Sequence, residues 1–389
     1  MIVRTLLCGL LAFAPAGGGE PEPVTIGQRV RLQSAVLNEE REYQVSLPSS
    51  YAWAKNRRYP ALYVLDGQNQ FEHTAAAVRF LADHGEIPEL IVVGITSTVR
   101  IRDFTQTDWA THWVGGGGAN NFKKFLSSEL IPEVERRFRA NEFRILSGHS
   151  AGGQFVLYCL TSEPALFQAY VAIASSLDWD DRLPRRSLEQ SFETTRELRA
   201  FLYVARADDS GAPLADFDGL VEVLRTKSPQ GLRWHGAAYP DETHVSVPLL
   251  AQIDAMRRLY DGYRFHSDLV PKGLAFAEQH FRTVSDKVGS VIEVPEDVIN
   301  ELGYEALGDG KVADAIALFE RNVEGHPQSA NAFDSLADGL VKAGRWPDAV
   351  KASEQAAALA IEFDHPSRAS FIERAKKMKE KSAEAEKAK

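Results

Sequence analysis

The spacing of apolar and polar residues changes character along the chain. Between about residues 29 and 262, short runs rich in β-branched and aromatic residues alternate with longer amphipathic stretches. VRLQSAV and EYQVSLP read as a pair of antiparallel strands. ALYVLDG, LIVVGI, FRILSG, AYVAIASS, FLYVARADD and LRWHGAAYP are near-continuous apolar runs that end in turn residues. Helical stretches such as NNFKKFLSSELIPEVERRF separate most of them. Strands without alternation are buried on both faces, so the pattern predicts an α/β protein with a mainly parallel sheet and helices on both sides.

After residue 265 the strands stop and the pattern is helical throughout. Leu302, Gly310, Ala315 and Phe319 recur 34 residues later as Leu336, Gly344, Ala349 and Ser353, the period of tetratricopeptide repeats. Phe319 giving way to Ser353 makes the second repeat the looser one. Two repeats bury too little surface to stand alone, so they are expected to pack on a helix at about 272–287 or on the α/β domain. The expected organisation is an α/β domain over 29–265, a helical connector over 266–295, two repeats over 296–363 and a charged tail over 364–389. The final KKMKEKSAEAEKAK is expected to be a frayed, solvated helix.

Composition narrows the class. The 389 residues carry a net charge of −10, leaving no basic surplus to neutralise nucleic-acid phosphates. At the N-terminus, Arg4 precedes the apolar run Thr5–Ala14, and Ala14-Pro15-Ala16 follows. This predicts an export signal over 1–16 and a linker over 17–28, with a periplasmic or secreted product. The apolar run is too short to span a bilayer. Removing it takes Cys8 away and leaves Cys159, so neither an internal disulfide nor a cysteine-based metal site is expected. Cys159, in FVLYCL, reads as a small buried hydrophobe.

The chemistry centres on FRILSGHSAGG. Gly-x-Ser-x-Gly alone arises by chance in roughly one chain in eight of this size. Here FRIL predicts a strand, Ser147–Gly152 a turn, and the apolar residues after it a helix. A strand-to-helix elbow projects Ser150 from the sheet edge, with small residues at 148 and 152 to avoid collision across the turn. The N–H of Ala151, at a helix N-terminus, is a candidate oxyanion donor, and Gly67 or Gln68 after LYVL is the candidate second donor. An antiparallel start, a parallel remainder and this elbow together describe the α/β-hydrolase arrangement. In that arrangement the acid follows a strand after the nucleophile, and the histidine follows the last strand. His244, in YPDETHVSVP, fits as general base, whereas His235 lies within the last strand and the side chain of His149 should point away from the Ser150 hydroxyl. Asp208 is the preferred acid, Asp209 the neighbour, and Asp178 the outside candidate. Ser150, Asp208 and His244 thus form the expected triad.

YPALYVLDGQNQF, VVGITSTVRIRDFTQT, FLSSELIPEVERRFR, LSGHSAGGQFVLY and YPDETHVSVP together resemble the putative-esterase (esterase D-like) branch of α/β-hydrolases, nearest to members acting on catecholate siderophore lactones. The trailing helices resemble the tetratricopeptide extension of many bacterial members. The resemblance implies carboxylic-ester hydrolysis with no metal or organic cofactor. It carries nucleophile and base onto Ser150 and His244, and points to Arg100 and Arg102 as substrate-binding, with a salt bridge to Asp103 as the structural alternative. VARADD departs from the family's more usual glycine followed by an acid, and some siderophore esterases manage with a serine–histidine pair. The expected partner is a small-molecule ester, with no nucleic acid and no stable membrane insertion, and the repeats are where a homodimer or protein partner would bind. Acyl transfer to a non-water acceptor and a non-catalytic binding role through the repeats are the alternatives. In WVGGGGANNF (113–122), a lid over the pocket and a simple tether are both open.

Overall fold

The computed structural model describes residues 23–112 and 115–387. The export segment read over 1–16 lies outside these residues, as does half of the linker.

Eight strands form one sheet: β1 (Gln28–Ser34), β2 (Glu39–Ser46), β3 (Tyr59–Leu65), β4 (Ile91–Ile95), β5 (Ala140–His149), β6 (Ala169–Ile173), β7 (Glu197–Arg206) and β8 (Gln230–Ala238). Their order is β1-β2-β4-β3-β5-β6-β7-β8. The pairs β1–β2 and β2–β4 are antiparallel, and every other pair is parallel. All eight expected strands are present. The sequence contrast that identified them is physical: β1 sits at the edge with most residues at least partly exposed, whereas every residue of β4 and β6 is buried.

Successive residues of β3 feed opposite cores. Ala61, Tyr63 and Leu65 join one layer; Leu62 and Val64 join the other. The first layer is covered by α3 (Ala119–Phe125), α4 (Ile131–Phe138), α5 (Ala151–Ser162), α6 (Trp179–Thr194) and α7 (Gly211–Lys227), with the short α2 (Arg100–Phe104) beside it. The second is covered by α1 (Gly67–Asp83) and α8 (Val247–Leu259). Chain order reverses at β3: the connection from β3 reaches β4 on one side, and β5 then lands on the other. The crevice beyond the carboxyl ends of β3 and β5 is therefore where an open α/β sheet receives its ligand.

The second core does not stop at the sheet. It continues through Tyr260, Tyr263 and Val270 into α9 (Leu274–Val288) and then to Val298 and Leu302 of α10 (Glu296–Gly308). The helical region thus packs on both the preceding helix and the α/β domain. The 34-residue period corresponds to two hairpins, α10 with α11 (Val312–Gly325) and α12 (Ala330–Lys342) with α13 (Trp346–Glu362). Gly310 and Gly344 take positive φ (76° and 72°) in equivalent turns. A second seam runs from the loop before β3: the Lys55 N–H donates to Gln328 Oε1 at 3.0 Å, and the Trp53 and His365 rings lie 5.6 Å apart.

The C-terminal expectation needs correction. Residues 368–387 form α14 (Arg368–Lys387), which is not a frayed tail. Phe371, Ala375, Met378 and Ser382 are buried and cover the last hairpin, while Arg374 bonds Asp334 and Asp338, both at 2.8 Å. Their spacing is that of one helical face, masked in the sequence by the surrounding lysines and glutamates. Among the described residues no helix is long and apolar enough to cross a membrane.

Candidate active site

Ser150 occupies the turn between β5 and α5 with φ 60° and ψ −117°. A non-glycine residue held there carries roughly 1–3 kcal/mol of strain and needs surroundings that over-determine it. They do. The Ser150 N–H donates to Ile173 O at 2.9 Å, and its carbonyl accepts from Gln154 N and Ser176 N, both at 3.1 Å. Gly148 is obligatory, because a Cβ would sit 2.4 Å from the Gly152 carbonyl oxygen. Gly152 is not: a Cβ there meets its nearest atoms, on Leu65, at 3.5 Å. The expected requirement for small residues on both sides of the serine therefore holds only before it.

The oxyanion candidates stand at two helix starts. Ala151 opens α5, and Gly67 opens α1 after Asp66, which takes a left-handed φ of 55°. The amides of Gly67, Gln68 and Ala151 have no protein acceptor among the described residues, as the first turns of helices dictate. The starts are adjacent because β3 and β5 pair in parallel. Gly67 is fixed by packing as well, since a Cβ would lie 2.6 Å from the Gly94 carbonyl carbon. The Gln68 side chain is committed elsewhere, accepting from Ser97 N at 3.0 Å, so only its backbone remains available.

His244 lies in the exposed turn after β8, and His149, next to Ser150, reaches that turn. His149 Nε2 bonds the His244 carbonyl at 2.7 Å, and the two rings are 4.6 Å apart. Burial, reinforced by the neighbouring His244, pushes the His149 pKa down to about 4. The His149 side chain is thus turned toward the base loop. His235, within β8, stacks on Tyr203 instead.

Hydrogen bonds do not join the expected triad: among the described residues none links the Ser150 hydroxyl to the His244 ring, and Asp208 stands apart as well. It is exposed, and no hydrogen bond links its carboxylate, or that of Asp209 or Asp178, to the His244 ring among the described residues. What ties the two loops is backbone: the Asp208 N–H donates to the Glu242 carbonyl at 2.9 Å. One group escaped the sequence reading. Ser176 Oγ lies 3.5 Å from Ser150 Oγ, placed by the β6 turn, and no motif marks it.

Both arginines bond protein groups. Arg102 uses all three nitrogens on protein: Nε on Asp103 at 2.7 Å, and its two terminal nitrogens on Glu39 at 3.2 and 2.6 Å. The Glu39 hydrogen bond, followed by that of Asp103, raises its pKa. Arg41, buried beneath, completes the cluster with a 2.8 Å pair to Asp103. The structural alternative is thus observed for Arg102: each of its nitrogens already donates to a carboxylate. Arg100 is partly committed: Nε donates to both Asp66 oxygens at 3.0 Å, and Nη2 to the His149 carbonyl at 2.9 Å. It clamps the start of α1 to the elbow. In the glycine loop, Gly117 N bonds Thr105 Oγ1 at 3.1 Å and Gly118 N bonds Arg102 O at 2.9 Å, so these residues are fastened to the preceding segment.

Comparison with known proteins points the same way. Residues 34–210 match the family described as putative esterase. Ferri-bacillibactin esterase BesA of Bacillus subtilis (strain 168) is 29% identical over 257 residues, spanning 59% of this chain and 89% of that protein. The structure of an IroE-like serine hydrolase from Shewanella oneidensis superposes with a TM-score of 0.65 at 29% identity, covering 73% of this chain and 95% of the other. An uncharacterised protein from Capnocytophaga ochracea DSM 7271, 17% identical, has a TM-score of 0.60 over 91% of this chain and 99% of its own. That last likeness extends the shared fold into the C-terminal helices.

Proposed function

From the match of residues 34–210 to the putative esterase family, we propose that the chain is a serine hydrolase of carboxylic esters acting through an acyl-enzyme on Ser150. The observation that carries this is the strained Ser150 backbone at a strand-to-helix turn, with the histidine loop fastened against it. His244 takes the Ser150 proton as Oγ attacks the ester carbonyl. The oxyanion meets the amides of Ala151 and of Gly67 or Gln68. The alcohol leaves with the proton from His244, and water, activated by the same imidazole, then releases the acid. Because no carboxylate bonds the His244 ring among the described residues, the working unit is the serine–histidine pair, with Asp208 holding the loop through its backbone.

The substrate is a bulky ester of the siderophore type. Two features support this: the relative named as a ferri-bacillibactin esterase, and an open site in which His244 is exposed and is followed by exposed Val245, Leu249 and Leu250. The helical hairpins are repeats of the tetratricopeptide type that brace the hydrolase, and the N-terminal segment directs export. The test is product analysis by mass spectrometry on a panel that includes catecholate trilactones and p-nitrophenyl butyrate, with and without an added alcohol acceptor. Lactone opening by water, unaffected by the acceptor, is expected. Ester products of the acceptor would overturn hydrolysis in favour of transfer.

A further inference from the structure

A histidine base whose ring has no carboxylate partner needs another anchor, because its productive position must be held against loop motion. We propose that His149 is a positioning residue that supplies this anchor, latching the backbone of the His244 turn to the nucleophile elbow. The inference rests on the reading of Ser150 and His244 as nucleophile and base.

The contact is geometrically complete. The His244 carbonyl can only accept, so Nε2 of His149 carries the proton and donates across 2.7 Å. The rings also touch, at 4.6 Å between centroids. The other end of the latch is immobile. His149 ends β5 and is in register with Ile173 of β6. Its carbonyl is held by Arg100, which is held in turn by Asp66 at the start of α1. Two side chains, His149 and Arg100, thus connect the three parts that must keep register: the start of α1, the serine turn and the base loop.

The base loop has few other ties. Thr243 and Ser246 bond within the turn, and Asp208 N–H reaches Glu242 O; these shape the loop without joining it to the elbow. With its pKa pushed down to about 4, His149 is neutral at pH 7 and adds no charge beside His244. A lysine there could donate the same bond but would set a cation beside the base.

The test compares His149→Ala, His149→Phe and His149→Gln with wild type, Ser150→Ala and His244→Ala, using p-nitrophenyl butyrate turnover, thermal melting and hydrogen exchange over residues 239–247. Phe keeps the ring without a donor; Gln keeps an N–H donor without the ring. Expected are a fall in kcat of about 10- to 100-fold for Ala and Phe with KM within about threefold, and recovery to within about fivefold of wild type for Gln. The melting temperature should hold, and exchange over 239–247 should rise in Ala and Phe only. Wild-type kcat in Phe would overturn the latch. So would Gln performing as poorly as Ala, with or without a drop in melting temperature. If Ser150→Ala or His244→Ala retains full turnover, the underlying assignment fails instead, and the two failures are told apart by which variants are silent.

Discussion

The serine turn and the histidine turn are joined through His149, yet they are built on opposite principles. Ser150 is held by three backbone hydrogen bonds and by strands buried on both faces, and the fold forces it into a conformation it would not choose. His244 sits on an exposed loop with one side-chain link to the elbow. One half is made by packing and tolerates no Cβ at Gly148; the other is made by a few polar contacts. A site of this kind spends its rigidity on the nucleophile and oxyanion donors, where geometry must be preset, and leaves the base on an adaptable rim.

Six substitutions would sharpen or break that contrast. The largest effect is expected at the chemical pair: Ser150→Ala should lower kcat on the order of 10⁴-fold or more, and His244→Ala by a comparable factor, each with an unchanged melting curve. Next is the packed turn. Gly148→Ala should cost about 3 kcal/mol in urea unfolding, because the new methyl meets a backbone carbonyl. Gly152→Ala should be neutral or stabilising by up to about 1 kcal/mol, as alanine suits a helix and has space; equal losses at 148 and 152 would undo the distinction. On the rim, Asp208→Asn should lower kcat less than about tenfold, since the loop tie uses its N–H; a loss near that of His244→Ala would restore a full triad. Smallest in activity is Arg102→Met, expected to leave KM within about twofold while lowering the melting temperature. A large KM rise without destabilisation would return Arg102 to the substrate.

The same divide decides what could be read from sequence. Uninterrupted apolar runs announced β3, β4 and β6 because burial on both faces leaves no alternation, and the elbow was readable because its strand, turn and helix are contiguous. Chain order also led to His244. The ties of the rim were not readable: Arg102 reaches Glu39 on β2, Arg100 reaches Asp66 before α1, and His149 reaches a carbonyl after β8. Such links depend on side-chain direction in three dimensions, which spacing does not encode. Gly148 and Gly152 look equivalent in the motif and differ only in what a Cβ would strike. The face of α14 at Phe371, Ala375, Met378 and Ser382 did carry a helical period, hidden under a strong charge signal.

The central claim is that Ser150 is an activated nucleophile served by His244. Fluorophosphonate labelling of the purified protein, read by intact mass, tests it most directly. The account predicts one adduct on the wild type, none on Ser150→Ala, and much slower formation on His244→Ala. Equal labelling of wild type and Ser150→Ala, or none on either, would contradict it.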